Sequence, residues 1–405
     1  MNLLFIHQNM PGQYKHLVRH YAARGDDVVF VTKPNKPDIA GVRKITYAPQ
    51  REPGRNTHHY LGYLESAVLH GQQVGRVCFA LQKRGWRPDV ICAHPGWGEA
   101  LFVKDVFTDS PLLSYCEFFY RAHGADVNFD PREPTDPDGQ FRIRVKNCNL
   151  ITALDTCDRG IAPTWWQKRA HPAAYWPKIS VIHEGVDTEV CRPDPAATLK
   201  LPDGRTLTRD DEVVTYVARN LEPYRGFPTF MHAIEQICRR RPNAIILVVG
   251  GDEISYGRAP AGAKNWREKM MAEVSFDTSR VVFLGRVPYV TFLSVLRLSR
   301  AHVYLTYPFV LSWSMLEAMA TGCPIVGSRT GPVVEVIEDR VNGLLVDFFR
   351  PDDVTDRVVE LLDDADLRAR LGARARETTI ARYDLRTRCL PQQIGLIDEM
   401  AAAKS

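Results

Sequence analysis

The sequence predicts an α/β protein built from two doubly wound domains that face each other across a cleft. Short apolar runs alternate with helix-like segments along both halves of the chain, which is the pattern of parallel sheets covered by helices. The 405 residues are too many for one ordinary core. A connector that contains Pro, Gly and Asp follows Gly185 and is longer than most loops. We expect an N-terminal domain over residues 1–185 and a C-terminal domain over residues 186–387. A last helix, over about 388–405, is expected to pack back on the N-terminal domain.

The first half contains four apolar runs that are short enough for buried parallel strands. They are NLLFIHQ (2–8), DVVFVT (27–32), RPDVICAH (87–94) and SPLLSYCEF (110–118). Apolar residues at helical spacing between Tyr14 and Ala22 predict a helix that ends at Gly25. The stretch GEALFVKDVF (98–107) predicts another helix, and residues 123–144, rich in Pro, Asp and Gly, predict an irregular loop.

The second half repeats the pattern. Strands are predicted at 212–219, 244–251, 281–285, 301–307 and 323–328, and helices at GFPTFMHAIEQICRRR (226–241) and PYVTFLSVLRLSR (288–300). In doubly wound sheets, ligands bind outside the carboxyl ends of the strands. Polar residues that follow strands are therefore the candidates for the functional site.

Composition and charge exclude several classes of protein. No apolar run approaches the roughly 20 residues that span a bilayer, and the start MNLLFIHQNMPG lacks the features of a signal peptide, so we expect a cytoplasmic protein. Nine cysteines without a CxxC pair indicate reduced thiols rather than zinc or disulfides. Residues 1–180 carry 23 Lys and Arg against 17 Asp and Glu, which suits an anionic acceptor or peripheral contact with an acidic membrane face. This excess of positive charge is too small to indicate that the protein binds nucleic acid.

A helix start at residues 307–324, YPFVLSWSMLEAMATGCP, is the first candidate site. Ser312 or Ser314 can cap the helix, whose first amides would then attract an anion, and Glu317 lies close behind. A phosphate beside a diol, as in a nucleotide, would suit this arrangement. Ser314 and Glu317 also fit a capping box, in which Glu317 would serve only its own helix. This segment alone does not separate the two interpretations.

Two arginines favour the nucleotide. Arg219 ends the strand EVVTYVAR and Arg225 lies in the turn that follows. Guanidinium groups at a strand end suit a diphosphate, because they bind phosphoryl oxygens in a bidentate manner and can stabilise a leaving diphosphate. An isolated arginine is more often a surface residue, but the neighbouring helix start favours the functional role.

For other polar and aromatic residues, the sequence indicates a functional role less strongly. Glu117 and His94 each follow a strand. For Glu117 we favour a contact with the sugar or acceptor over a bond to its own loop, because an acid at a strand end faces the cleft. His94 could equally be a structural residue or an acceptor contact. We interpret Trp165 and Trp166 chiefly as core residues, with Thr164 and Gln167 forming a capping box. The acidic pair in Asp136-Pro-Asp138 is interpreted as a solvated turn rather than a metal site. We therefore expect no metal and no cofactor.

The second half resembles family 4 of the retaining glycosyltransferases, which have the GT-B fold of two Rossmann-like domains. The resemblance rests on VARNLEPYRGF (217–227), on 281–308, on SMLEAMATGCPIVGSRTGPVVEVIEDRVNGLLV (314–346) and on the crossover ISVIHEGVDTEVCRPD (179–194). It covers nearly the whole chain and is faint over residues 30–80 and 120–145. It implies transfer of a sugar from a UDP- or GDP-linked donor to a hydroxyl acceptor, a saccharide, lipid-linked sugar or small molecule, in polysaccharide, glycolipid or metabolite synthesis.

The resemblance also implies roles for single residues. Arg219 and Arg225 would hold the diphosphate and act in catalysis. Glu117 is expected to act with them because of its place at a strand end, and not because of the resemblance. The remaining donor-binding residues would be Gly250, Arg286, Val287, Ser312, Trp313, Ser314, Met315 and Glu317. The residues facing the acceptor or the sugar would be Gly12, Gln13, His94, Glu117 and Phe309.

Three departures from the family pattern stand out. Phe309 occupies the place of the first Glu of a Glu-x7-Glu motif, Arg225 replaces a Lys and lies one residue further from Arg219, and Glu117 stands where a His is expected. They keep two alternatives open. One is a sugar-nucleotide epimerase or hydrolase on the same fold, and the other is a protein that binds nucleotide sugars without turnover.

Overall fold

The computed structural model describes residues 1–34 and 38–403. The chain divides into two compact units. The first comprises residues 1–185 together with the chain from Arg386 onward, and the second comprises Val186–Leu385. Each unit has its own parallel sheet and core, as two Rossmann-like α/β domains require.

The first unit contains a seven-stranded sheet of order β3-β2-β1-β4-β5-β6-β7 in which all strands are parallel. The strands are β1 Asn2–Ile6, β2 Asp27–Thr32, β3 Val42–Thr46, β4 Val90–Ala93, β5 Leu112–Tyr115, β6 Arg159–Ala162 and β7 Ile179–Val181. The strand order reverses between β1 and β4, which marks the carboxyl ends of these strands as the place where a ligand binds in such folds.

Among its described residues up to Gly185, this unit contains six α-helices. They are α1 Lys15–Arg24, α2 Gly62–Lys83, α3 Val103–Val106, α4 Pro137–Lys146, α5 Cys148–Thr156 and α6 Trp165–Ala170. The long helix α2 contains three glycines, and at one of them, Gly71, a Cβ atom would lie 2.6 Å from the Gly98 carbonyl oxygen. This glycine therefore lets the helix approach the chain that follows β4.

The second unit contains a six-stranded parallel sheet of order β12-β11-β10-β13-β14-β15. The strands are β10 Val213–Asn220, β11 Ile245–Gly251, β12 Val281–Gly285, β13 Ala301–Tyr304, β14 Ile325–Ser328 and β15 Leu344–Val346, preceded by the antiparallel pair β8 Leu199–Lys200 and β9 Thr206–Leu207. The order reverses between β10 and β13, so this sheet repeats the arrangement of the first.

The helices of the second unit cover both faces of its sheet. They are α7 Phe227–Arg240, α8 Trp266–Glu273, α9 Tyr289–Leu298, α10 Trp313–Ala320, α11 Gly331–Val334, α12 Pro351–Asp363 and α13 Ala365–Tyr383. The final helix, α14 Leu390–Ala402, belongs to the first unit, where Leu396, Ile397 and Met400 join the core against α1.

Three expectations for local structure were wrong. The loop expected over 123–144 contains the start of α4, because Asp136 caps the helix by accepting from the Gly139 amide (2.7 Å) and Pro137 occupies its first turn. The helix expected over 98–107 is reduced to α3. Trp165 is exposed rather than part of the core. Thr164 caps the helix as predicted, because its hydroxyl oxygen accepts from the Gln167 amide (3.1 Å). The Gln167 side chain instead accepts from the Thr164 hydroxyl (2.9 Å) and donates to the Glu117 carbonyl (2.7 Å), so only the Thr164 half of the capping box is formed.

Buried histidines predict how stability depends on pH. Burial lowers the pKa of His171 and His183 to about 4 and that of His302 to about 3. An unfolded histidine titrates near about 6.5. These folded-state values are lower, so protonation favours unfolding, and the stability present above about pH 6.5 is lost as the pH falls. Each group should remove about 1 kcal/mol by pH 5.5.

Thermal melting between pH 7.5 and pH 5.5 tests this expectation. The melting temperature should fall steadily over that range, and His302→Gln should flatten the fall. A melting temperature that is constant over the range would contradict it.

Candidate functional site

Three predicted residues meet at the carboxyl edge of the first sheet. Gln13 follows β1, His94 follows β4 directly, and Glu117 lies two residues after β5. The Gln13 amide donates to Glu117 Oε1 (3.0 Å), and His94 Nε2 lies 3.1 Å from Glu117 Oε2. The Glu117 side chain is 33% exposed, whereas that of His94 is buried. The carboxylate is therefore fixed on one side by two neighbours and open on the other.

The surrounding hydrogen bonds define the charge state of Glu117. His94 Nδ1 accepts from the Gly96 amide (3.1 Å), so the ring proton resides on Nε2 and is donated to Glu117. Burial alone would raise the pKa of Glu117, but the hydrogen bonds from His94 and Gln13 hold this pKa below its usual value. Glu117 is consequently an ionised carboxylate at neutral pH.

Gly12 allows the loop after β1 to approach the sheet closely. Its φ angle is +50°, and a Cβ atom at this position would lie 2.7 Å from His7 Nε2. A side chain here would therefore clash with the histidine that follows β1. The position requires glycine, and it holds the neighbouring Gln13 beside Glu117.

The two predicted diphosphate arginines differ in environment. Arg219 lies near the carboxyl end of β10, is exposed, and bonds to no described residue. Arg225 is buried, and its Nη1 donates to Thr306 Oγ1 (2.8 Å), the Val310 carbonyl (3.0 Å) and Tyr304 Oη (3.3 Å). Arg219 is thus available to a ligand, while Arg225 also anchors the loop between β13 and α10.

The start of α10 is joined to Arg225 through a tyrosine. Ser312 is the N-cap residue, as predicted, and its hydroxyl accepts from the Ser314 amide. The Ser312 amide donates to Tyr304 Oη (2.7 Å), the hydroxyl that Arg225 also contacts. The Ser312 amide is therefore already bonded within the fold. A ligand would meet the amides and hydroxyls that follow it.

Glu317 does not form the capping box that its spacing with Ser314 allowed, because the cap is Ser312 and Glu317 lies beyond the first turn. Its Oε1 accepts from Tyr289 Oη (2.7 Å), a hydroxyl that also lies 3.2 Å from Cys191 Sγ. The side chain is only partly buried. The carboxylate is thus held from the side by Tyr289, on the same helix whose start lies beside Arg225.

The other predicted donor residues have varied roles in the fold. Gly250 is packed so closely that a Cβ atom would lie 2.9 Å from the Ala218 carbonyl oxygen. Arg286 donates to Asn220 Oδ1 (3.0 Å) and pairs with Glu253 (2.5 Å) on the surface. Val287 packs on the core, Trp313 is 46% exposed, and Met315 is fully buried, so Met315 can offer a ligand only its backbone.

Tyr304 and Tyr289 are the functional candidates that sequence reasoning missed. Neither lies in a recognisable motif. Their positions could have identified them, because Tyr304 is the last residue of β13 and Tyr289 is the first residue of α9. Tyr256 is a third residue that the sequence did not reveal, and the Arg225 guanidinium lies 5.5 Å from its ring centroid. Its loop carries no regular pattern that would have revealed this contact.

Comparison with known families decides the classification. Residues 24–191 match the model of the "Glycosyl transferase family 4 group", and residues 202–378 match that of the "Glycosyl transferases group 1". The chain belongs to the group 1 glycosyltransferases of family 4.

Curated relatives of this glycosyltransferase include two D-inositol 3-phosphate glycosyltransferases. That of Acidothermus cellulolyticus is 24% identical over 88% of this chain and 78% of its own length. That of Corynebacterium efficiens is 29% identical over 49% of this chain and 46% of its own length. A GDP-mannose-dependent alpha-(1-6)-phosphatidylinositol monomannoside mannosyltransferase of Mycobacterium tuberculosis is 29% identical over 52% of this chain and 54% of its own length. The chain thus spans about half the length of two of these three relatives.

Solved structures establish the GT-B fold of this glycosyltransferase. Sucrose-phosphate synthase from Thermosynechococcus elongatus has a TM-score of 0.72 at 18% identity, with all of both chains covered. Anabaena Alr3699/HepE in complex with UDP-glucose has a TM-score of 0.64 at 17% identity, covering 100% of this chain and 99% of its own.

The structure gives the unusual Phe309 of this glycosyltransferase a packing environment. Its ring is 8% exposed and lies 4.9 Å from the ring of Tyr256 and 5.7 Å from that of Tyr224, measured between centroids. The ring therefore supports the aromatic residues around Arg225, and little of it remains to face a sugar.

The described part of the chain contains neither a cluster of metal ligands nor a helix that could span a membrane. Over residues 1–34 and 38–403, no group of three or more His, Cys, Asp or Glu side chains could hold a metal ion. In the same ranges, no helix combines the length and the apolar character needed to cross a bilayer.

Proposed function

We propose that the chain is a retaining glycosyltransferase that moves a sugar from a nucleotide-diphosphate sugar to a hydroxyl acceptor without a metal ion. The nucleotide would bind at the carboxyl edge of the second sheet. The acceptor hydroxyl and the sugar would be handled by Gln13, His94 and Glu117 in the first unit. The acceptor class is a saccharide, a lipid-linked sugar or a small hydroxylated molecule.

The arrangement around Tyr304 is the observation that carries this proposal. Its hydroxyl joins the Arg225 guanidinium to the Ser312 amide, so a cation and a helix start are fixed together beside the strand end that bears Arg219. A diphosphate between them would receive charge-assisted hydrogen bonds from both sides. Glu317, one helical turn further on, would accept from the ribose hydroxyls.

The same residues account for the reaction chemistry. As the bond between the sugar and the phosphate lengthens, negative charge moves onto the diphosphate, where Arg219, Arg225 and the helix start stabilise it. Fixed cations provide the charge neutralisation that a metal ion would otherwise supply. The leaving phosphate would take the acceptor proton, and Glu117 would stabilise positive charge that develops on the sugar.

The names of relatives support the donor class. Alr3699/HepE is described in complex with UDP-glucose, and the mycobacterial relative is described as GDP-mannose-dependent. We therefore propose a UDP- or GDP-linked sugar as the donor.

A donor screen tests the function. The purified protein is incubated with UDP- and GDP-linked sugars, with and without acceptors, while thermal shift and nucleotide release are recorded. At a hundredfold excess over its dissociation constant, the true donor should stabilise the protein by about 2.7 kcal/mol. Nucleotide release should require an acceptor. Free sugar formed without an acceptor would identify a hydrolase, and absence of binding at millimolar concentrations would contradict the proposal.

Replacing Glu317 with Gln tests the ribose contact. The amide cannot accept two charge-assisted hydrogen bonds, so affinity for the nucleotide diphosphate should fall about tenfold. Tyr289→Phe is the matched control, since it removes the neighbouring hydroxyl and retains the carboxylate, and its affinity should stay near that of the wild type. Unchanged affinity in Glu317→Gln would mean that the carboxylate serves only its contact with Tyr289.

A further inference from the structure

A groove of about 570 Å³ lies at the opposite, amino-terminal edge of the second sheet. It is lined by Arg300, which directly precedes β13, and by Thr321, Gly322 and Pro324, which precede β14. The groove is thus separate from the carboxyl edge that bears Arg219. Helix α10 links the two edges, because it begins after Ser312 and ends beside the groove.

Four arginines share this groove, namely Arg209, Arg300, Arg368 and Arg376. No carboxylate lines it, and within the described ranges none of the four forms an ion pair. Several surface arginines elsewhere in this unit do pair with carboxylates, as Arg240 does with Asp356 (2.5 Å). Four cations without acidic partners in one concave site are unusual, since like charges in proximity repel.

Backbone carbonyls hold three of these side chains in place. Arg300 donates to the Asp210 carbonyl (2.6 Å), Arg368 to the Leu361 carbonyl (2.6 Å), and Arg376 to the Cys191 carbonyl (3.0 Å). The Arg209 side chain is exposed and bonds to no described residue. A carbonyl orients a guanidinium without neutralising its charge, and each guanidinium offers five N–H donors. Donors therefore remain for a bound anion.

We propose that Arg209, Arg300, Arg368 and Arg376 form a binding site for a small phosphorylated anion. Planar guanidinium groups match the oxygens of a phosphoryl group. The volume exceeds the need of inorganic phosphate and lies in the range of sites for small organic ligands. The chemical class is thus a phosphate ester or a diphosphate.

Two further features agree with this assignment. Burial, followed by the charges of Arg300 and Arg209, lowers the pKa of Arg368, although Asp364 and Glu212 oppose the shift. A bound anion would relieve that repulsion. The residues that line the groove also include Ala369 and Ala373, whose short side chains take up little of its volume.

Calorimetric titration with inorganic pyrophosphate at fixed ionic strength tests the site. The titration uses protein that carries Arg219→Gln, so that the proposed donor site contributes little. Adding Arg209→Glu should weaken pyrophosphate binding by about tenfold or more, through loss of a charge-assisted hydrogen bond. Adding Arg374→Glu is the matched control. This substitution changes the net charge by the same amount as Arg209→Glu. Arg374 is an exposed residue of α13 that pairs with Glu377 (2.8 Å) and lies outside the groove. The affinity of this control variant for pyrophosphate should be retained.

A second arm separates a free phosphate ester from a lipid headgroup. The same variants are sedimented with phosphatidylcholine vesicles with and without phosphatidylglycerol. Binding to phosphatidylglycerol vesicles that Arg209→Glu abolishes, without binding of pyrophosphate, would assign the site to a headgroup phosphate. Equal weakening by Arg209→Glu and Arg374→Glu would overturn the proposal, as would binding of neither probe. The proposal does not depend on the glycosyl transfer reaction, so its failure would leave that function unaffected.

Discussion

Replacing Arg225 with Ala is expected to lower turnover by about 100- to 1000-fold, the cost of removing one fixed donor to a developing oxyanion. The substitution removes both a cation beside the proposed diphosphate and an anchor for the loop that contains Val310. Because the side chain is buried and bonded, the melting temperature should also fall. Steady-state kinetics with the identified donor measure the first effect, and thermal melting measures the second.

Thr306→Val separates the two roles of Arg225. It removes the shortest of the three hydrogen bonds to Arg225 Nη1 while leaving the cation in place. Turnover in this variant should stay within about tenfold of the wild type, as expected for the loss of one hydrogen bond. If Thr306→Val reduced turnover as strongly as Arg225→Ala, Arg225 would act by positioning the loop. Turnover near the wild-type value in Arg225→Ala would contradict any role for it in catalysis.

Replacing Glu117 with Gln is expected to lower turnover by about 100-fold, with little change in nucleotide affinity. The amide has nearly the same shape but lacks the charge that would stabilise the reacting sugar. Affinity should be retained because the nucleotide is proposed to bind to the second unit. The hydrogen bonds from His94 and Gln13 hold the pKa of Glu117 below its usual value, so this carboxylate should stay ionised to a lower pH than an unperturbed glutamate would.

Gln13→Ala provides the comparison for Glu117. It removes the hydrogen bond to Oε1 and leaves the one from His94, so its effect on turnover should be several-fold smaller. Comparable loss of nucleotide affinity and of turnover in Glu117→Gln would place Glu117 in donor binding. Unchanged turnover would leave the carboxylate a purely structural partner of His94.

The sheets could be predicted because buried parallel strands are short apolar runs bounded by turn residues. The segment VVFLG corresponds to β12 in full, and the run at 244–251 differs from β11 by one residue. Helices were harder to predict where a local signal misled. The stretch around Asp136 and Pro137 looks like a turn, yet the same residue types cap and begin a helix. The long helix α2 was missed, and its Gly71 has a packing role that only the fold reveals.

The site could be predicted as a set of positions but not as a set of contacts. Residues at strand ends, such as Arg219 and Glu117, follow from the topology of a doubly wound sheet. The contacts of Arg225 with Tyr304 and Val310, and of Glu317 with Tyr289, join residues that are far apart in the sequence. Such contacts depend on how loops pack, and no periodicity or spacing encodes them.

The proposed transfer reaction requires that a nucleotide diphosphate binds at the carboxyl edge of the second sheet. The most direct test is calorimetric titration of UDP and GDP into the wild type, Arg219→Gln and the control Arg239→Gln. Arg239 is an exposed arginine of α7 that pairs with Glu235 (3.0 Å). We predict that one of the nucleotides binds and that Arg219→Gln alone weakens it by about tenfold or more. Equal affinity in all three proteins would contradict binding of the nucleotide beside Arg219.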